Sequence, residues 1–117
     1  MDETRARELV AAERVRIDAA LDDLTGGIRT EGSLESQQTG ERRELGTDVA
    51  AEEVRIALLV SLREESAAVD RAMARIDAGT FGRSIESGDP IPDARLEAAP
   101  LAERTVEEQE AFEHGGA

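Results

Sequence analysis

Residues 79–109 read GTFGRSIESGDPIPDARLEAAPLAERTVEEQ, and this stretch decides how the rest of the chain is interpreted. Ser84 and Ser87 are separated by two residues, and Thr105 and Glu108 repeat that interval about 20 residues later. Four-cysteine zinc sites have this spacing, with two C-x-x-C pairs about 15 to 20 residues apart. The chain contains no cysteine, so the spacing is present without the thiolates.

The residues around these four positions make the pattern specific. They are Gly79-Thr80-Phe81-Gly82, Gly88, Pro90-Ile91-Pro92, Arg95-Leu96-Glu97-Ala98, Pro100, Val106 and Gln109. With them, the stretch resembles the C-terminal finger of the TraR/DksA family, whose members bind bacterial RNA polymerase. The resemblance covers about a third of the chain at the level of motifs. Ahead of it, only the helical layout is similar.

The four positions that match the zinc ligands of the family carry Ser84, Ser87, Thr105 and Glu108. A hydroxyl is a poor zinc ligand, and one carboxylate cannot hold a structural site that requires four sulfur or nitrogen donors. We therefore expect no zinc and no other cofactor. Thr105 and Glu108 instead form a capping-box pattern that opens a final helix.

Without a metal, apolar side chains must hold residues 79–114 together, a segment called the knuckle below. We expect its core to dock on the end of a helical hairpin near Met73 and Ile76. The predicted core consists of Phe81, Ile85, Ile91, Leu96, Leu101 and Val106, with Phe112 behind them.

Two segments ahead of the knuckle have apolar residues at intervals of seven, the pattern of a coiled-coil seam. The first predicts a helix over about residues 3–25, with Thr4 or Asp2 as its N-cap, and the second a helix over 48–78, with Thr47 or Asp48 as its N-cap and Gly79 as its stop. The two stripes are Ala6, Val10, Ile17, Leu21 and Leu24, and then Ile56, Leu58, Leu59, Leu62, Ser66, Val69, Met73 and Ile76.

The predicted fold is mostly all-α. An antiparallel two-helix coiled-coil hairpin, residues 1–78 with a flexible glycine-containing linker at 26–46, precedes the metal-less knuckle and its C-terminal helix. Residues 115–117 are expected to fray. With 117 residues and two aromatic side chains, the chain suits one small, extended domain better than a large compact core.

In the resembled family, acidic residues at the tip of the coiled coil enter the secondary channel of the polymerase, often within a D-x-x-D-x-A pattern. Asp48 and Ala50 match the second half of that pattern, and Leu45 occupies the position of the first Asp. Glu52 adds negative charge beside them. The resemblance therefore implies a partner-contacting tip at Asp48, Ala50 and Glu52, while the alternative role for Asp48 is a simple helix cap.

The chain carries 27 acidic and 14 basic residues, a net charge of −13, and all of its basic residues are arginine. Such a charge disfavours direct binding to a phosphate backbone. We expect a cytoplasmic, monomeric transcription regulator that binds RNA polymerase without touching DNA or a membrane; no leader sequence is visible. The alternative is a diverged, non-catalytic interaction module with another partner or with itself. An enzyme is disfavoured because no nucleophile–base set or phosphate loop is present.

Overall fold

The structure is a computed structural model and describes residues 1–25 and 45–115. Four α-helices lie in these ranges: α1 (Glu3–Thr25), α2 (Leu45–Ala78), α3 (Asp93–Ala98) and α4 (Val106–Glu113). The described residues contain no strand, only an isolated bridge between Arg83 and Pro90. The predicted, mostly all-α class is confirmed. The predicted linker up to residue 44, and residues 116–117 of the tail, lie outside the described residues.

α1 occupies the range predicted for the first helix. Its N-cap is Asp2, whose carboxylate Oδ1 accepts a hydrogen bond from the amide of Arg5 at 3.0 Å. Ala6, Val10 and Ile17 are buried along one side of the helix. The interval of seven residues therefore identified the buried stripe correctly.

α2 begins earlier than predicted, because it starts at Leu45 and not at residue 48. Thr47 and Asp48 are therefore inside the helix, and the prediction that either is its N-cap is wrong. Asp48 instead supplies negative charge in the first turn, where it complements the helix dipole. The predicted stop at Gly79 is confirmed: its φ is +77°, and its amide donates to the carbonyl of Ile76 at 3.1 Å.

Residues Arg14–Ala67 form one compact unit, built from α1 and α2 in antiparallel order. Arg14 donates to the hydroxyl of Ser66 at 3.0 Å, and Arg16 pairs with Glu65 at 3.2 Å. Nearer the other ends of the two segments, Arg55 donates to the carbonyl of Leu24 at 3.2 Å. As the residue number rises in α1, it falls in α2, so the two helices form a hairpin.

The interior of this unit is narrow. Ile17 and Leu62 are buried, whereas Ile56 and Leu58 are about half exposed, at 51% and 48%. The expectation that Ile56 and Leu58 extend the buried stripe of α2 is therefore wrong. At 100° per residue, Ile56 is turned about 120° away from Leu62, so it lies off the side of α2 that packs against α1. Leu58 shares the face of Leu62, but it lines an open groove with Ala20 and Leu24 and is therefore only half covered.

The second compact unit comprises Met1–Glu13 and Ala68–Ala117. Within it, Val10, Val69, Ile76, Ile91 and Leu96 are buried, so helix ends and knuckle share one core. Arg5 binds both carboxylate oxygens of Glu97, at 2.9 and 2.7 Å. The knuckle is thus attached to the helices by apolar burial and by a bidentate ion pair.

The knuckle core is smaller than predicted. Ile91 and Leu96 are buried, and Phe81 and Leu101 are partly buried. Three predicted core residues are wrong because they are exposed: Ile85 at 50%, Val106 at 45% and Phe112 at 57%. A segment of about 35 residues has room for few interior side chains. Phe112 instead packs beneath the guanidinium of Arg104, which lies 4.0 Å from the ring centroid.

No helix in residues 1–25 or 45–115 is long and apolar enough to cross a membrane.

Candidate functional site

Ser84 organises the first of the two turns that match zinc-ligand pairs. Its hydroxyl oxygen accepts hydrogen bonds from the amides of Glu86 at 3.0 Å and Ser87 at 3.3 Å. Its own amide donates to the carbonyl of Asp89 at 2.8 Å, and the Ser87 hydroxyl accepts from the Asp89 amide at 3.1 Å. Ser84 is also buried. Each serine therefore accepts hydrogen bonds from backbone amides of its own turn.

Thr105 and Glu108 open α4 with the predicted capping box, and the structure confirms it. The Thr105 hydroxyl accepts from the Glu108 amide at 3.2 Å, and the Glu108 carboxylate accepts from the Thr105 amide at 2.9 Å. Both exchanges satisfy amides that a helix start leaves without an intrahelical partner.

The two turns meet at the carboxylate of Glu108. Hydrogen bonding from the Ser84 hydroxyl, followed by that from the Ser87 hydroxyl and the Thr105 amide, lowers the pKa of Glu108 to about 2. The four residues, called the quartet below, therefore lie close to one another in the folded knuckle. Within the quartet, the carboxylate of Glu108 accepts hydrogen bonds from the other three residues.

The quartet does not fit the zinc ion that a four-cysteine finger holds. Its hydroxyls are already engaged with backbone amides, and its single carboxylate is engaged with three donors. No cluster of three or more His, Cys, Asp or Glu side chains suited to a metal occurs among the described residues. A structural zinc site requires four nitrogen, sulfur or carboxylate donors. The quartet offers three hydroxyls and one carboxylate, so it does not meet that requirement.

The low pKa of Glu108 makes the quartet sensitive to acid. A lowered pKa stabilises the fold fully above the ordinary carboxyl value of about 4.5, and this stabilisation is lost as pH falls towards about 2. Glu108→Gln preserves the capping length but removes the charge. We expect the wild type to unfold at a higher temperature than this variant at pH 7, with the difference disappearing between pH 4.5 and 2.

The matched control is Glu110→Gln, which removes one exposed carboxylate from the same helix. Thermal unfolding followed by circular dichroism checks the prediction. A difference between wild type and Glu108→Gln that stays constant across this pH range would contradict the role of the ionised carboxylate.

Arginines of α2 hold the loop that separates α3 from α4. Arg71 and Arg75 both pair with Glu103 at 2.9 Å. Arg71, followed by Arg75, lowers the pKa of Glu103, and Glu103 raises the pKa of Arg71. The sequence pattern did not predict this cluster. The available signal was an Arg–Arg pair at i, i+4 on one helix face, which suits a shared carboxylate.

Arg95 also has a different partner from the one expected. Within the matched Arg95-Leu96-Glu97-Ala98 motif, its Nε donates to the backbone carbonyl of Arg104 at 3.0 Å, and a nearby carboxylate would have been the simpler expectation for an arginine. Arg104 itself pairs with the carboxylate of Glu86. These two contacts join α3, the loop before α4 and the Ser84–Ser87 turn.

The three residues of the predicted tip lie in the first two turns of α2. Asp48 is partly buried, whereas Ala50 and Glu52 are exposed. Glu52 pairs with Arg55 at 3.0 Å, and the same arginine binds the carbonyl of Leu24 near the end of α1. The tip therefore has one exposed acidic side chain, Glu52, and one partly buried acidic side chain, Asp48. It belongs to the unit Arg14–Ala67, and the quartet belongs to the other unit.

Comparison with known proteins gives three similarities. Residues 79–114 match the family described as the prokaryotic dksA/traR C4-type zinc finger. The chain is similar to the RNA polymerase-binding transcription factor DksA of Caulobacter vibrioides, from strains NA1000 / CB15N and ATCC 19089 / CIP 103742 / CB 15, with 47% identity over 45 residues. That alignment covers 38% of this chain and 32% of those proteins, so the match spans about a third of their length.

The third similarity is structural and extends over the whole fold. The solved structure of transcription factor DksA2 from Pseudomonas aeruginosa superposes with a TM-score of 0.64 and 27% identity, covering 97% of this chain and 84% of that one. The fold and site define a class: a helical hairpin carrying a finger-like knuckle. Within that class, the chain is similar to the TraR/DksA family: its knuckle matches the zinc finger of that family, and the chain contains no cysteine.

Proposed function

We propose that this protein is a DksA/TraR-like transcription regulator that binds bacterial RNA polymerase and performs no catalysis itself. The observation that carries the proposal is the double similarity: the knuckle matches the finger family, and the hairpin and knuckle together match a solved DksA2 transcription factor. The curated relatives are described as RNA polymerase-binding transcription factors. A polymerase partner also implies a cytoplasmic location.

We further propose that the hairpin enters the secondary channel of the polymerase with the start of α2 leading, and that it makes no direct contact with DNA. Asp48 and Glu52 lie in the first turns of α2, and the net charge of the chain is −13. A strongly acidic surface is repelled by nucleic acid and attracted by a channel lined with positive groups. Association should therefore be faster at low ionic strength.

The test places a photo-crosslinker at position 48 and adds purified polymerase from the same host. We expect crosslinks to polymerase subunits that line the secondary channel. We also expect Asp48→Asn to weaken the effect on transcription by about tenfold while binding changes by less than about threefold, because a tip side chain acts after docking.

Asp18→Asn is the matched control, since it removes one exposed negative charge from α1 in the same unit. It is expected to behave as the wild type. Failure of the unmodified chain to bind core polymerase at low salt and micromolar concentration would overturn the proposed function. Crosslinks to DNA would overturn the proposed mode of binding.

A second candidate is an interaction module with another partner or with a second copy of itself. It is favoured by the unusual exposure of Val49, Ile56 and Val60 on α2, at 56%, 51% and 53%. A regulator that only displays charge at its tip does not need such a surface, and exposed apolar patches commonly mark interaction sites.

A further inference from the structure

The outer side of α2 carries a second coiled-coil stripe that the hairpin does not use. The intervals between its residues alternate between four and three positions. The residues are Val49, Glu53, Ile56, Val60, Arg63 and Ala67. All six are exposed, and all lie in the unit Arg14–Ala67. We call this set the outer stripe. Its spacing is that of a coiled-coil seam, in which apolar a and d positions face a neighbouring helix.

The outer stripe is separate from the seam that holds the hairpin. At 100° per residue, its six positions fall on a face about 80° wide, and Leu62 lies on the opposite side of the helix. Leu62 is buried in the hairpin. α2 thus has two apolar faces, and among the described residues only one of them is covered.

The charges within the outer stripe indicate what covers it. Glu53 and Arg63 stand symmetrically on either side of the stripe's centre, as do Ile56 and Val60, and Val49 and Ala67. Two copies of this helix placed antiparallel would therefore set Glu53 against Arg63 twice, and Ile56 against Val60 twice. A parallel arrangement would instead place Glu53 on Glu53 and Arg63 on Arg63, which is repulsive.

The residues on either side of the outer stripe add no like-charge pair when the two helices are antiparallel. The same register places Glu52 beside Ser66 of the second copy, and Ala50 beside Glu64 of the second copy. Neither Glu53 nor Arg63 has an ion-pair partner in the described part of the chain. Both charges are therefore available to a second copy.

We propose that two copies of this protein associate through the outer stripe, as an antiparallel pair of α2 helices. The contact is small, and each copy carries a net charge of −13, so the dimer forms at high concentration and dissociates on dilution. The unassociated form is the monomer that the sequence predicts. The proposal does not depend on polymerase binding, and it assigns the exposed apolar residues of α2 to a second copy.

A charge-swap series tests the proposal by sedimentation velocity across a range of protein concentrations at physiological salt. Glu53→Arg and Arg63→Glu each place like charges at both symmetric pairs, so we expect each to raise the dimer dissociation constant by at least about tenfold. The double variant Glu53→Arg/Arg63→Glu restores opposite charges and should return to within about threefold of the wild type.

A second series tests the apolar contacts. Ile56→Glu should abolish the dimer, whereas Val54→Glu, at a residue 60% exposed on another side of the same helix, should leave it unchanged. Because the chain has no cysteine, single cysteines can be introduced to measure whether the two α2 helices pair antiparallel. In a mixture, Ile56→Cys and Val60→Cys proteins should form a disulfide with each other faster than either forms one with itself.

Three results would overturn the proposal: sedimentation that does not depend on concentration up to about 0.5 mM, a dimer insensitive to Glu53→Arg and Ile56→Glu, or a double variant no better than the singles. If the protein never dimerises and Ile56→Glu abolishes its binding to polymerase, the outer stripe is a polymerase contact and the dimer proposal is wrong. Intact dimerisation in a chain that does not bind polymerase would sustain this inference and reject the proposed function.

Discussion

Replacing Ser84, Ser87, Thr105 and Glu108 together by cysteine is expected to convert the knuckle into a zinc-binding finger. The four positions already lie close together, because the hydroxyls of Ser84 and Ser87 hydrogen-bond to the carboxylate of Glu108. Four thiolates at these positions supply the tetrahedral sulfur set that zinc prefers, with Zn–S distances of about 2.3 Å. The backbone turns that present them are in place without the metal.

The expected effect is large. Structural zinc in finger peptides contributes about 10–16 kcal/mol of apparent binding free energy at neutral pH. The four-cysteine variant should bind one zinc ion per chain, and its unfolding temperature should rise by more than about 10 °C on addition of zinc and fall again with a chelator. Metal analysis and X-ray absorption give the stoichiometry and the sulfur distances.

The control is Ser84→Cys/Ser87→Cys, which supplies only one of the two thiolate pairs. It should bind zinc much more weakly and gain little stability, because two ligands do not complete the site. A four-cysteine variant that takes up no zinc would show that the four positions do not converge in solution. The unmodified chain should show no zinc-dependent change in its unfolding temperature.

Ile91→Ala is expected to destabilise the protein far more than Ile85→Ala. The two residues have the same side chain in the same knuckle, but Ile91 is 4% exposed and Ile85 is 50% exposed. Truncation of a buried isoleucine costs about 2–5 kcal/mol, since it removes apolar contacts and leaves a cavity. Truncation of an exposed one costs less than about 1 kcal/mol.

Urea unfolding and amide hydrogen exchange measure this difference. The most informative amides are those of Ser84 and Ile85, which donate to the carbonyls of Asp89 and Glu103 at 2.8 and 2.9 Å. Ile91→Ala should accelerate exchange at both, while Ile85→Ala leaves both protected. Equal destabilisation by the two variants would mean that apolar burial does not hold the knuckle.

The structural features that were predicted best from the sequence are those set by residues close together along the chain. The capping box of Thr105 and Glu108 is a local pattern, and the glycine stop at residue 79 is another, so both were recognised correctly. The buried stripes of α1 and α2 were recognised because an interval of seven residues persists over several turns. Such signals do not require knowledge of the tertiary fold.

Features that depend on distant residues were missed. The pairing of Glu103 with Arg71 and Arg75 joins positions about 30 residues apart. The exposure of Ile85 and Val106 reflects how an irregular segment turns, and no period describes that. The early start of α2 was missed because helix boundaries are the weakest part of a pattern-based prediction.

The sequence named the four residues of the quartet, but it did not predict the hydrogen bonds between them. All four residues of the quartet were named from their spacing, and Thr105 and Glu108 were assigned to the cap. The approach of the Ser84 and Ser87 hydroxyls to Glu108 was not foreseen, because it joins two turns that only the folded knuckle brings together. The expectation that an apolar cluster, helped by the cap at Thr105 and Glu108, holds the knuckle did not include these hydrogen bonds.

The dual role of Glu108 constrains how this lineage can evolve. A first cysteine at position 108 would break the helix cap and remove the acceptor for both serines, before enough thiolates exist to hold an ion. A first cysteine at position 84 would weaken the same network without any compensating metal. Acquiring a metal-bound finger therefore requires several simultaneous changes, and stepwise selection for stability will tend to preserve the metal-free form.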